Sequence, residues 1–203
     1  MAKEERSVTS TRDRILDAAL EAFGTKGFAA TTTKEIARSA GVNEVTMFRI
    51  FGSKLKLFQS VMEERSLLRT LKEGISFDPE RPLDDLLYDN IRFVLSTLRR
   101  NKHMFMLMLG DASRMPEIRE AMGSLMVEKG LSMLTGFMGM LIEQGRLKKM
   151  DPEIAARTIM GLVQSYFIMN DVLLREGMDE EREEQVLRGY VSVLLDGMRG
   201  QAA

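Results

Sequence analysis

The stretch TTTKEIARSAGVNEVTMFRIFGSK, residues 31–54, decides how the rest of the chain is read. Thr32 or Thr33 can cap a short helix, with Glu35 in its first turn where the helix dipole favours an acid. Ile36 and Ala37 face inward. Ala40-Gly41-Val42 makes a tight turn, because Gly41 adopts positive φ without steric cost and Val42 can plug the corner. Asn43 caps a second short helix, Gly52 stops it, and Ser53 caps a third that begins at Lys54. A bracing helix, a sharp turn and a second helix with an open outer face is the arrangement that enters the major groove of DNA. That groove is about 12 Å wide and admits one helix.

Position on the second helix decides which side chains can reach a base. Met47 and Phe51 lie one turn apart and face inward, with Ile50 beside them. Val45 and Arg49 occupy the opposite face, flanked by Glu44, Thr46 and Phe48. Arg49 can hydrogen-bond guanine or neutralise a phosphate. Thr46 can donate to a phosphate oxygen or pack its methyl on thymine. Val45 can make only apolar contact. Glu44 can accept from a cytosine amino group, although a solvated carboxylate is the commoner role. Thr33 and Lys54 each stand at a helix start, where free N–H groups and the dipole favour a phosphate. Lys26, Lys34 and Arg38 read as solvated cations that attract the backbone diffusely.

Outward from this block, the spacing Ile15, Leu16, Ala19, Leu20, Phe23 predicts a preceding helix capped by Ser10 or Thr11. It is expected to end near Thr25, at Gly24 and Gly27, with Phe28 sealing the core. A long helix from Lys54 to about Lys72 follows. Two prolines and a glycine within residues 74–82 then mark a loop. Beyond it only helices are visible: about 83–100, 102–110, 116–144 opened by Pro116, 152–176 opened by Asp151-Pro152-Glu153, and 180–199. No period-2 strand pattern competes. The expectation is an all-α protein of about nine helices. Residues 1–56 form a three-helix DNA-binding domain, and 57–203 a helical regulatory and dimerisation domain.

Composition narrows the function. The chain has 203 residues, 44% of them hydrophobic, which suffices for a sizeable core. It has no cysteine and one histidine, His103, which excludes disulfides, thiolate chemistry and a multi-histidine metal site. No cofactor or metal is expected. No catalytic cluster or phosphate-cradling glycine loop converges, so an enzyme is not expected either. No stretch approaches the roughly 18 uninterrupted apolar residues of a membrane span. A cytoplasmic protein without a membrane partner is the expectation. Residues 1–56 hold ten Lys/Arg against seven Asp/Glu, whereas the rest holds 19 against 23, a mildly basic head on an acidic body.

Residues 11–58 resemble the DNA-binding domain of TetR-type transcriptional regulators. The matching positions are Ile15-Leu16, Ala18-Ala19, Phe23, Gly27-Phe28, Thr33, Ile36-Ala37, Ala40-Gly41-Val42, Thr46, Phe51, Ser53-Lys54 and Leu57. The resemblance implies a homodimeric repressor that binds a palindromic double-stranded operator and releases it on binding a small molecule. It assigns DNA contact to Thr33, Glu44, Val45, Thr46, Phe48, Arg49 and Lys54. Three positions depart from the family pattern, among them Asn43, which stands where the family usually has serine and caps as well. Phe48 stands where the family usually has a tyrosine, whose hydroxyl would hold a phosphate, and Val45 stands where glycine is common.

The second part of the chain carries most of the seventeen methionines. Methionine fills irregular cores and also lines adaptable apolar pockets, and the sequence leaves both readings open. Phe105, Met108, Met126, Met133, Phe137, Tyr166 and Asn170 are the candidate lining for an apolar effector. Gly123, Gly130, Gly136 and Gly139 in one helix mean either close helix crossings or open space beside it. The helices at about 152–176 and 180–199 are apolar over arcs wider than one core-facing stripe, which asks for a second copy of the same helices. Two alternatives remain: a helical adaptor, or a regulator that does not respond to a small molecule.

Overall fold

The structure is a computed structural model that describes residues 10–65, 67–174 and 178–198. It contains helices α1 (Thr11–Ala30), α2 (Thr33–Ser39), α3 (Glu44–Phe51), α4 (Lys54–Glu64), α5 (Leu67–Gly74), α6 (Leu83–Arg100), α7 (Lys102–Ala112), α8 (Pro116–Met122), α9 (Lys129–Glu143), α10 (Pro152–Tyr166) and α11 (Glu180–Met198). A π-helical segment at Gly123–Glu128 joins α8 to α9, and another at Phe167–Leu173 extends α10. There is no strand among the described residues. The all-α expectation holds.

By their internal contacts the helices form two groupings, residues 1–69 with 103–122, and residues 70–102 with 123–203. This differs from a division after residue 56. α4 stays with the N-terminal helices because Leu57, Phe58, Val61 and Met62 are all buried and α4 packs along α1.

The first grouping is built on an aromatic cluster. Phe23, Phe28 and Phe58 have ring centroids 5.2–5.7 Å apart, two of the three pairs edge-on. Phe28 reaches this cluster because α1 does not stop near Thr25. It continues to Ala30 through a kink at Gly27, whose φ is 81°. Gly27 therefore bends the helix where it was expected to end it, and Gly24 stays within regular helix. Four backbone groups at the bend find side-chain partners. The Phe28 and Ala29 N–H groups donate to the Asp111 carboxylate at 2.6 and 3.3 Å. The Gly27 carbonyl accepts from the buried Thr31 hydroxyl at 2.7 Å, and the Phe28 carbonyl accepts from Lys54. The long helix expected from Lys54 is also interrupted: α4 is capped at Arg65, and α5 starts at Leu67. Arg65 pairs with Asp13 and Asp17 of α1, and Arg12 of α1 pairs with Glu64.

In the second grouping α9 lies along α10, and α6 lies along α11 and the π segment at Phe167–Leu173. Phe137, Met138, Leu141, Ala155, Phe167 and Leu195 are among its buried residues. Arg99 of α6 donates to Asp171 at 2.6 Å and also pairs with Glu183 of α11. The Tyr166 hydroxyl donates to Glu183 at 2.9 Å. Burial first, then the Glu183 carboxylate, pushes the Tyr166 phenol up to about 12. The four glycines separate into two kinds. A side chain at Gly130 would touch Met160 at 3.7 Å and one at Gly139 would touch Pro152 at 4.0 Å, whereas Gly123 and Gly136 face open space. A neighbouring side chain thus stands at ordinary contact distance beside two of them, and open space beside the other two. The helical run Pro116–Glu143 is long and apolar enough to cross a bilayer by length and composition alone, but Glu128 and Lys129 lie in its middle. The expected ends of the last two helices, Glu176 and Arg199, lie outside the described residues.

Two glycine substitutions should separate strained from unstrained positions. Gly27→Ala forces positive φ on an L side chain and sets its Cβ 2.9 Å from the Asp111 carboxylate, so stability falls by about 1–3 kcal/mol. Gly136→Ala adds a better helix former where nothing obstructs it, so stability rises by up to about 1 kcal/mol. Urea-unfolding midpoints of the two variants against the parent measure both.

Candidate nucleic-acid interface

Local chemistry sets the positions of α2 and α3. Thr32 is the cap of α2. Its hydroxyl accepts from the Glu35 N–H at 3.2 Å, and the Glu35 carboxylate accepts from the Thr32 N–H at 3.2 Å. This reciprocal box satisfies two otherwise orphaned donors. Lys26 of α1 adds an ion pair to Glu35 at 2.9 Å. The Lys26 bond first, then the Thr32 N–H, holds the Glu35 carboxyl down at about 2. The turn is made as expected. Gly41 has a φ of 68°, and the Val42 N–H reaches back to the Ala37 carbonyl at 2.9 Å. Asn43 Oδ1 accepts from the Thr46 N–H at 2.7 Å, and Gly52, with a φ of 78°, closes the far end.

α3 buries only Met47 and Phe51. Its outward arc is centred on Val45 and Arg49, with Val45 75% exposed and Phe48 41% exposed. The Arg49 guanidinium has no hydrogen-bond or ion-pair partner among the described residues. Thr46 is half-buried beside Val45. Ile50 is not inward: it is 36% exposed. At 3.6 residues per turn it lies roughly 80° round the helix from the middle of the Met47–Phe51 pair, which puts it on the rim. Lys34 and Arg38 of α2 are exposed and line a shallow cleft of about 540 Å³ together with Val42, Asn43 and Glu44.

Three of the residues singled out from the sequence are engaged inside the protein. The Thr33 hydroxyl donates to the Glu44 carboxylate, which links the start of α2 to the start of α3. Lys54 donates to the Phe28 carbonyl and sits 4.2 Å from the centroid of the Phe28 ring. Burial lowers the pKa of this ammonium, while Asp111 acts in the opposite direction. Val45, Thr46, Phe48 and Arg49 are left on the outer face. Nothing in the sequence pattern reveals that Thr33 pairs with Glu44, because the two are eleven residues apart.

The candidate effector residues are divided between the two groupings. Met108 is buried and Phe105 half-buried in the first. In the second, Phe137 is buried edge-on against Phe77 at 4.9 Å, and Tyr166 is buried against Tyr190 at 6.2 Å. The Asn170 amide donates to the Tyr166 carbonyl at 3.0 Å, and Met126 and Met133 are half-buried. Several of these residues therefore serve the packing of their own grouping. His103 is exposed. Among the described residues no group of three or more His, Asp or Glu side chains is placed to hold a metal ion.

Two family profiles match the chain in sequence order. Residues 15–61 match the sequence profile of bacterial regulatory proteins of the tetR family. Residues 86–197 match the C-terminal domain of AefR-like transcriptional repressors. An uncharacterized HTH-type transcriptional regulator of Bacillus subtilis, YvkB, is 48% identical over 56 residues, which is 28% of this chain and 30% of that protein. The nucleoid occlusion factor SlmA of Sodalis glossinidius is 26% identical over 98% of this chain and 85% of its own length. The solved structure of the flavonoid-responsive regulator FrrA superposes with a TM-score of 0.80 at 25% identity, covering 95% of this chain and 98% of that one.

The Lys26–Glu35 pair gives the interface a testable acid response. Glu35 has a depressed folded pKa, so its contribution to stability is present above the unfolded value and is lost as pH falls towards about 2. Lys26→Met removes the largest cause, so the Glu35 carboxyl should titrate closer to the ordinary glutamate range. Carboxyl NMR titration of the parent and the variant reads the difference.

Proposed function

The chain belongs to the TetR family of bacterial transcriptional regulators, which bind DNA, and from that premise we propose a homodimeric repressor of a palindromic operator, released by an apolar small molecule. The observation that carries the reading is the outer face of α3. It is capped at both ends, held by Met47 and Phe51, and presents Val45, Phe48 and an unpaired Arg49 to solvent. Residues 1–56 do the reading, and 57–203 regulate and pair the subunits. Val45, Thr46, Phe48 and Arg49 face the bases and backbone. Thr33 and Lys54 act at the rim of the contact, where a phosphate would compete with Glu44 and the Phe28 carbonyl for the hydrogen bonds they donate, and Glu44 faces a cytosine amino group there. The protein works in the cytoplasm, where its DNA target lies.

Two copies are needed because an eight-residue helix spans only a few base pairs. The last two helices are suited to supply the second copy. α10 and its π extension expose Ile154, Met169 and Leu173, and α11 exposes Tyr190 and Val193. Gly161 and Gly189 on the same helices have nothing within 4 Å of an added side chain, so another helix could approach closely. The reading of an apolar effector is supported by the methionine-rich second part and by the likeness to a regulator described as flavonoid-responsive. A second reading, DNA binding without an effector, draws on the match over 98% of this chain to a protein named a nucleoid occlusion factor, a name that mentions no small molecule. Release of the bound duplex by an apolar aromatic compound favours the first reading, and persistence across such compounds favours the second.

Gel shift with the full chain on DNA upstream of its own gene tests the main reading. Salt-sensitive, sequence-selective binding is expected, and Arg49→Ala should weaken the selective component by about 1–3 kcal/mol. No selective binding to any such segment overturns the reading. Sedimentation tests the pairing surface. Val193 is 74% exposed in the single chain, so Val193→Glu should leave the helical circular-dichroism signal intact while shifting the protein from dimer towards monomer.

A further inference from the structure

The exposed face of α3 has a definite chemical character. Of the side chains that could carry hydrogen-bond information to a base, Glu44 is already accepting from Thr33, and Lys54 is already donating to the Phe28 carbonyl. Arg49 is the one charged group of this helix that stays uncommitted among the described residues. The most outward position is held by Val45, 75% exposed, the most exposed large apolar side chain in the described protein. Phe48, three residues on and on an adjoining part of the same arc, is 41% exposed and has no hydroxyl. An aliphatic group and an aromatic ring side by side in water stand to lose apolar area on binding, and neither can read a donor or an acceptor. In the major groove only one base edge offers an apolar partner, the C5-methyl group of thymine.

We propose that Val45 and Phe48 are specificity-determining residues that close on a thymine methyl, so that each half-site carries a thymine beside the guanine held by Arg49. The inference rests on the DNA-reading role proposed above for α3 and names the base chemistry that role selects. The spacing sharpens it. Val45 and Arg49 are four residues apart, a rise of about 6 Å. Successive base pairs are about 3.4 Å apart. The thymine therefore lies within about two base pairs of the guanine. Cytosine at that position has only a hydrogen at C5 where thymine carries its methyl, and an amino group at C4 where thymine has a carbonyl, so neither side chain gains an apolar partner.

The test selects duplexes from a randomised pool with the full-length protein, then replaces each thymine of the selected half-site with deoxyuridine. That exchange removes one methyl group and leaves base pairing intact. Replacing that thymine in one half-site should weaken binding about fourfold, the value of one buried methylene-sized group, and replacing it in both about fifteenfold. V45A should narrow the difference between the thymine and uracil duplexes, V45A combined with F48A should abolish it, and R49A should keep the thymine preference while losing the guanine. Val45 is exposed, so its truncation leaves the fold in place, and the circular-dichroism signal verifies this. Selected half-sites without a shared thymine, or uracil duplexes bound as tightly as thymine ones, overturn the methyl reading while DNA recognition by α3 stands. Failure to enrich any sequence overturns both.

Discussion

The kink at Gly27 is the constraint on which the DNA-facing half of the protein depends. A break inside a helix frees N–H and carbonyl groups, and burying them unpaired would cost free energy comparable to lost hydrogen bonds. Here three side chains from three segments satisfy them: Asp111 takes the Phe28 and Ala29 N–H groups, Thr31 reaches the Gly27 carbonyl, and Lys54 reaches the Phe28 carbonyl. The bend turns the Phe28 ring into the cluster with Phe23 and Phe58. It also fixes the first residue of α4. Only Gly52 and Ser53 separate α3 from α4, so whatever holds Lys54 also fixes where the reading helix ends. The position of α3 follows from a glycine two helices earlier.

Local chemistry was the readable part of the sequence. Ser10, Asn43, Ser53 and Asp151 act as caps within three residues of the groups they serve, and Gly41 and Gly52 adopt the positive φ that their settings require. The inward pair Met47 and Phe51 followed from helical period alone. What escaped was tertiary. Asp111 lies 83 residues from the N–H it accepts, and no short-range pattern marks it. Gly27 looked like a stop because glycine ends helices more often than it bends them. The pairing of Thr33 with Glu44 adds a brace between two residues that the sequence offered only as DNA contacts. The two π segments leave no compositional signature, since one extra residue per hydrogen-bonded ring changes neither propensity nor period enough to see.

The second grouping shows the same limit in another form. Tyr166 and Asn170 read as polar groups available to a ligand, whereas the structure commits the Tyr166 hydroxyl to Glu183 and the Asn170 amide to the Tyr166 carbonyl. Arg99 binds Asp171 and Glu183 together, and Lys102 donates to the Asp171 carbonyl. This partly buried network joins α6, the π segment and α11. Such networks contribute mainly when every member is satisfied, because removing one partner strands a charge. Glu183 is accordingly held below the usual carboxylate range, by Arg99 before Tyr166. One oxygen of Asp171 is buried without a protein partner, so the network has one unfilled acceptor.

The economy of α3 explains how one fold can serve many targets. Eight residues are too few to form a stable helix alone. This one is held by the Asn43 cap, the Gly52 closure and two buried side chains. None of those supports lies on the outer arc. Val45, Phe48 and Arg49 can therefore change without disturbing Met47, Phe51 or the caps, and a change there alters the base edges recognised while the scaffold stays as it is. The inner positions have no such freedom: Met47 is fully buried, and truncating it would leave a cavity beneath the reading helix. The departures at Val45 and Phe48 sit where the architecture tolerates variation, and they are apolar where the family more often has glycine and tyrosine. The same separation of support from reading surface explains why the fold was evident from the sequence, whereas the target has to be inferred from the exposed side chains.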